Sequence, residues 1–221
     1  SFFGNTGLNL SMNDDEITMN CNWNTTEGDI KGIDIVHAMQ AIAVHPGFLH
    51  SGDVGLVEGA KNGTVAAGIS GVWAANSLKE AWGKNYAAVK LPTYTCAGKQ
   101  IQMASFSGYK MVGVNAYSKH PDWSLKLADW LTNEENQTLR FNKRGLGPSN
   151  INSASTPEVQ GDAAIQAVLA QSEFATLQRV TSKFWDPMVA FGQKMHSGDP
   201  NIEAQKLLDE TVAAITASAA N

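Results

Sequence analysis

The chain has 221 residues, 43% hydrophobic and 17% charged, with 16 Lys+Arg against 21 Asp+Glu for a net charge of −5. That much apolar material supports a packed core and excludes a wholly disordered chain, and the lack of a basic block argues against nucleic acid as a partner. The length fits one large domain or two small ones at roughly 100–200 residues each, and the longest apolar runs, Ala38–Val44 and Val212–Ala220, fall far short of the roughly 18 residues a membrane span requires.

In chain order, Asn13-Asp14-Asp15 predicts a turn between two short strands. Thr26, with Asp29 three residues on, predicts the cap of a helix over 29–44, since Ile30, Ile33, Val36, Met39 and Ile42 share one face. His45-Pro46-Gly47 ends it. Val54–Lys61 predicts a short helix closed by Asn62-Gly63, and the alternation in Thr64–Ser70 predicts a strand. A helix follows Trp73 to about Gly83, then strands over Tyr86–Leu91, Lys99–Ala104 and Tyr109–Tyr117. Pro121 opens a helix through Leu131, and Thr132 with Glu135 predicts a capping box for another to Arg144. Gly145-Leu146-Gly147-Pro148 is a stiff turn; helices over 157–171, 182–196 and 200–219 complete the chain. Strands alternating with helices and then a helical last third define an α/β pattern.

Common catalytic signatures are missing from the sequence: no Gly-rich dinucleotide or phosphate loop, no nucleophile elbow and no zinc-protease motif. The histidines at 37, 45, 50, 120 and 196 are scattered. Cys21 and Cys96 match no zinc spacing and stand either as one long-range disulfide in an exported protein or as two unrelated thiols. Cys96 has no local His to activate it as a nucleophile. The run Asp14-Asp15-Glu16 is the pattern of a solvated turn.

Six tryptophans are present. Trp73 follows Ser70-Gly71-Val72 at an expected strand-to-helix junction, and Trp185 lies in Lys183-Phe184-Trp185-Asp186-Pro187. Each is either a core side chain or a flat platform for the apolar C–H face of a sugar ring.

These stretches resemble a known family. Lys61-Asn-Gly-Thr-Val-Ala-Ala-Gly-Ile-Ser-Gly-Val-Trp73 is similar to the G-x-x-A-M-x-x-x-G-P-W segment of extracellular solute-binding proteins of the maltose-binding type, with Val72 in place of the usual Pro. Tyr86-Ala-Ala-Val-Lys-Leu-Pro-Thr93 resembles their Y-x-V-x-x-L-P-T strand. Gly108-Tyr109, Val114 through Lys119 and Leu127 through Gln137 resemble the following G…S-K…L-T-x-x-E-x-Q segment; Gly147-Pro148 and Phe184-Trp185 occur in the expected order after it.

The resemblance implies an α/β, periplasmic-binding-protein type II-like lobe: a central mixed sheet flanked by helices, in a chain incomplete at the N-terminal side, consistent with a start at Ser1 without Met or leader. Residues 1–105 and 149–221 would form the C-terminal lobe, and 106–148 an excursion that returns to the N-terminal lobe, with crossings at Ser107-Gly108 and Gly145–Pro148. Without its partner strands that excursion would expose edges or an apolar face. By the same resemblance Trp73 and Trp185 match sugar platforms, Phe2 or Phe3 matches an aromatic of the lobe's first helix, and Ser107 and Gly108 offer backbone hydrogen bonds to a hydroxyl. The implied role is trapping a solute, a carbohydrate by the aromatics, and delivering it to the permease subunits of an ABC importer. That role needs no cofactor, metal or catalytic residue. It places the protein in the periplasm or on the outer face of the cytoplasmic membrane, held there through a lipid anchor if at all. The competing readings are the same fold binding a peptide, polyamine or metal chelate, and a hydrolase using an unrecognised carboxylate pair.

Overall fold

The computed structural model describes residues 2–217. In order the elements are β1 (Leu10–Met12), β2 (Met19–Cys21), α1 (Gly32–Ala43), α2 (Asp53–Lys61), α3 (Ala75–Trp82), β3 (Thr93–Cys96), β4 (Lys99–Gln102) and β5 (Ser105–Ser107). Next come α4 (Pro121–Thr132), α5 (Glu134–Arg144), α6 (Ile151–Ala154), α7 (Pro157–Gln160), α8 (Ala163–Ser172), β6 (Ala175–Leu177), α9 (Trp185–His196) and α10 (Ala204–Thr216). The expected extension of the last helix through Ser218 and Ala219 lies outside the described residues.

The chain forms two compact units. One comprises the described residues of Ser1–His50, Leu91–Ser107 and Phe174–Asn221; the other comprises Ser51–Lys90 and Gly108–Glu173. One boundary between the units falls between Ser107 and Gly108. Segments 51–90 and 108–173 belong to the same unit. Lys79 pairs with Asp162 at 2.5 Å, and the side chain of Asn76 meets the backbone at Gly145, which binds these two segments together.

In the first unit α1, α9 and α10 pack on one another and on β2 and β3. Ile35, Val36, Phe191, Leu208 and Ile215 are fully buried at their contacts, and each such side chain contributes roughly 1.5–3 kcal/mol of transfer free energy. Helix α1 starts later than expected. Lys31, not Thr26, is its cap, because the Asp34 carboxylate accepts the Lys31 N–H at 2.9 Å and Gly28 turns the preceding loop at φ +93°. The Asn13–Glu16 turn joins β1 to β2 as expected, with Asp15 accepting the N–H groups of Ile17 and Thr18.

The second unit has a smaller apolar centre of Leu56, Ala60, Ala74 and Leu78. Its later helices are joined by polar contacts: the Gln137 side-chain oxygen accepts the N–H groups of Ser149 and Asn150, and its amide donates to the Thr132 carbonyl. Asn133, one residue past the expected Thr132, caps α5 by accepting the Asn136 N–H, while Thr132 donates its hydroxyl back into α4. Gly145 closes α5 in the left-handed conformation that favours glycine. The expected helix over 157–171 is broken at Gly161-Asp162, and Asp162 caps the second piece. Helix α4 buries none of its residues, although it carries Trp123, Leu125, Leu127 and Trp130.

Among the described residues there are three two-stranded sheets and no central sheet: β1–β2 and β3–β4 antiparallel, β5–β6 parallel. The mixed central sheet is therefore corrected to a mixed α/β arrangement with small paired ribbons. Thr64–Ser70, Tyr86–Leu91 and Tyr109–Tyr117 are not strands. Alternation supplies a face but no ladder partner, and the first segment folds back instead, with the N–H groups of Thr64 and Val65 donating to the Gly59 carbonyl.

Candidate ligand-binding aromatics

The first unit contains an aromatic series that runs from its core to its surface. Phe3 stacks on Trp23 with centroids 4.2 Å apart; Trp23 meets Phe184 edge-on, and Phe184 meets Trp185 edge-on at 5.1 Å. Phe106 on β5 closes a triangle, edge-on to both Phe184 and Trp185. Exposure rises along this series from 4% at Phe3 to 37% at Phe106 and 45% at Trp185. Trp185 is the first residue of α9, directly after the 3-10 turn Ser182–Phe184, so the helix start aims it outward while its neighbour Phe184 points inward.

The expected residues near this series divide by environment. Phe3 is a core side chain. Phe2 is half-buried, with its ring edge-on to Tyr94 and its carbonyl accepting the Tyr94 hydroxyl at 2.5 Å. Burial pushes the Tyr94 phenol well above its ordinary range. Ser107 ends β5 half-buried, and its carbonyl is already occupied by the Gln178 N–H at 2.9 Å. Gly108 is exposed at the start of the later segment of the second unit.

Trp73 belongs to the second unit, in the 3-10 turn Val72–Ala74, and is 63% exposed. Its indole N–H donates to Asp53 at 2.6 Å, and Asp53 also accepts the Ser70 hydroxyl at 2.6 Å. These two bonds hold the Asp53 carboxyl below the usual carboxylate range. One part of the ring lies against Gly71, where a Cβ would fall 2.2 Å from a ring carbon. The ring is thus seated on backbone and largely open to solvent.

Sequence reasoning missed two contributors, Phe106 and Asp53. Phe106 sat beside the expected crossing with no role attached. Asp53 is 20 residues from Trp73, and no local pattern links them. A hollow of about 330 Å³ beside α4, lined by residues within 112–118 and by α4 side chains, and a groove of about 500 Å³ between α1 and β3 include neither Trp73 nor Trp185.

Both thiols are free and buried. Burial pushes Cys21 up to about 11 and Cys96 above its ordinary value, the direction opposite to that of an activated nucleophile. Among the described residues no group of three or more His, Cys, Asp and Glu gathers as a metal site, and no helix is long and apolar enough to cross a membrane.

Each unit thus carries an exposed indole held by its neighbours, Trp185 in the first and Trp73 in the second. Residues 18–167, more than half of the chain, match the family described as bacterial extracellular solute-binding protein. The galactooligosaccharide-binding protein of Bacillus subtilis (strain 168) is 32% identical over 151 residues, covering 67% of this chain and 35% of the relative. A maltooligosaccharide ABC transporter solute-binding lipoprotein of Streptococcus pneumoniae is 30% identical over 161 residues, covering 69% and 37%. A solved structure described as being with acarbose superposes with a TM-score of 0.82 at 25% identity, over 97% of this chain and 58% of its own. The maltodextrin-binding protein MalE1 of L. casei BL23, solved without ligand, shares the fold at TM-score 0.72 and 22% identity, over 90% and 54%.

The chain belongs to the bacterial extracellular solute-binding protein family, whose role is binding and not catalysis. The matched region is about a third of the length of these curated relatives.

Proposed function

We propose that this chain is the carbohydrate-recognising part of a solute-binding protein that serves an ABC importer, with an oligosaccharide as its solute. The observation that carries the reading is Trp73: a solvent-open indole whose N–H donates to Asp53 and whose base is the Gly71 backbone. A pyranose offers an apolar C–H face to such a ring, and aromatic contacts of this kind add about 0.5–1.5 kcal/mol beyond area burial. Trp185, braced by Phe184 and Phe106, is a second platform of the same chemistry. Gly108 offers its backbone to a hydroxyl at the crossing between the family's lobes; Ser107, whose carbonyl accepts the Gln178 N–H and whose N–H lies in the β5–β6 ladder, offers its hydroxyl. Phe2 contributes its exposed part, whereas Phe3 is withdrawn from the site by its burial.

In the longer protein the solute lies between two lobes and stabilises the closed form by its difference in affinity for the two states, which the permease then reads. The site of action is the outer face of the cytoplasmic membrane, reached through a lipid anchor such as the pneumococcal relative's name records.

A thermal-shift screen of the chain against malto- and galactooligosaccharides tests this. A stabilising shift with at least one sugar, lost in Trp73→Ala without a change in the unliganded melting temperature, supports the proposal. A shift with a peptide or polyamine and none with any sugar overturns it.

A further inference from the structure

Asp53 opens α2, and its two carboxylate oxygens take different donors, one from the loop that leads into the 3-10 turn and one from the turn itself. Ser70 Oγ donates to one oxygen and Trp73 Nε1 to the other, each at 2.6 Å. A hydrogen bond to an ionised acceptor is stronger and more directional than one between neutral groups. An exposed tryptophan otherwise samples several rotamers, and freezing it on binding opposes affinity; a ring ordered beforehand avoids that cost. The second restraint is the missing Cβ of Gly71, which lets the ring settle against the backbone.

We infer that Asp53 is the positioning residue of Trp73, fixing the ring before a ligand arrives and occupying its only polar donor, so that the ring presents carbon alone to the solute. The inference rests on the reading of Trp73 as a sugar platform. It also sharpens that reading. An indole whose N–H is already engaged selects the C–H face of a saccharide and gives no donor to a hydroxyl, so discrimination among hydroxyl patterns falls to other groups. The same two hydrogen bonds favour the ionised form of the Asp53 carboxyl, the form that accepts from both donors.

The test uses the chain labelled with 5-fluorotryptophan, its Trp73 signal assigned by loss in Trp73→Phe. In the parent chain that signal is narrow and displaced from the position of a free indole. Asp53→Ala should move it towards the free position. Asp53→Asn, which keeps one amide oxygen as acceptor, should move it only part of the way. Affinity for a maltooligosaccharide probe should fall about tenfold in Asp53→Ala and less in Asp53→Asn, with the melting temperature of Asp53→Asn unchanged. An Asp53→Asn or Asp53→Ala signal identical to the parent's overturns the positioning role. So does parent-like affinity in Asp53→Ala when Trp73→Ala has lost binding. If Trp73→Ala itself binds like the parent, the sugar-platform reading fails, while the fluorine signal still decides whether Asp53 holds the ring. Should Asp53→Ala fail to fold, Asp53→Asn alone carries both readouts.

Discussion

Lys79 and Asp162 stand 83 residues apart in sequence and form an ion pair at 2.5 Å. Asp162 also caps α8, accepting the N–H groups of Ala164 and Ile165. Burial alone would raise its carboxyl; the Lys79 ammonium and the two backbone donors outweigh that and hold it below the ordinary range. A carboxyl depressed in the folded state stabilises above its unfolded value of about 4, and that contribution is lost as pH falls through the folded value. Asp162→Ala should therefore cost about 1–2 kcal/mol at neutral pH through the lost cap, read as a lower urea midpoint. Its stability should also fall less steeply below pH about 4 than the parent's, since it has one such group fewer.

Phe3 and Trp185 occupy opposite ends of one aromatic series, so their replacements should behave oppositely. Phe3→Ala empties a stacked core position and should cost roughly 3–5 kcal/mol, seen as a large drop in melting temperature. Trp185→Ala should leave the melting temperature nearly unchanged and weaken the oligosaccharide-induced shift. Equal loss of stability in both variants would place Trp185 in the core instead.

Cys21 and Cys96 should react slowly with a thiol reagent at pH 8. With its thiol pushed to about 11, Cys21 holds on the order of one part in a thousand as thiolate at that pH, and burial limits access to both thiols. Denaturant should raise the rate to that of a free cysteine. Mass spectrometry of the unreduced chain should find two thiols and no bridge.

The open side of α4 has a measurable consequence. Trp123, Leu125, Leu127 and Trp130 lie on a helix that buries nothing, and exposed apolar surface of this extent binds apolar dyes and promotes association. Trp123→Gln with Leu127→Gln should lower dye fluorescence and concentration-dependent light scattering without lowering the melting temperature. A clear drop in melting temperature would show that these side chains support the fold.

Helices were legible where the sequence carries punctuation. Pro121 opens α4, Gly145 closes α5 and His45-Pro46-Gly47 follows α1, each through backbone chemistry local to the residue. Cap positions slipped downstream of the expected residues: Asn133 next to Thr132, and Lys31 five residues past Thr26. Strands were poorly legible because a strand exists only with a neighbour. Thr64–Ser70 alternates and pairs with nothing, whereas Ala175–Leu177 has no marked pattern yet pairs with β5. At the site, Trp73 and Trp185 stood out as residues in recognisable surroundings. Phe2 and Phe3 could not be separated, since nothing local tells which of two adjacent phenylalanines faces inward. Asp53 was invisible, because its link to Trp73 is made by the fold of the intervening loop.

The parallel pairing of β5 with β6 ties Ser105–Ser107 to Ala175–Leu177. The chain returns to the second unit immediately after one of these strands and leaves it for the last time immediately before the other. The whole of Gly108–Glu173 is therefore a loop with its neck stitched shut. Closing a loop costs only about 0.6 kcal/mol more for each doubling of its length. The neck holds both ends of the segment in register, while Lys79 of the 51–90 segment pairs with Asp162 inside it, so a change of length there has to leave that pair in place.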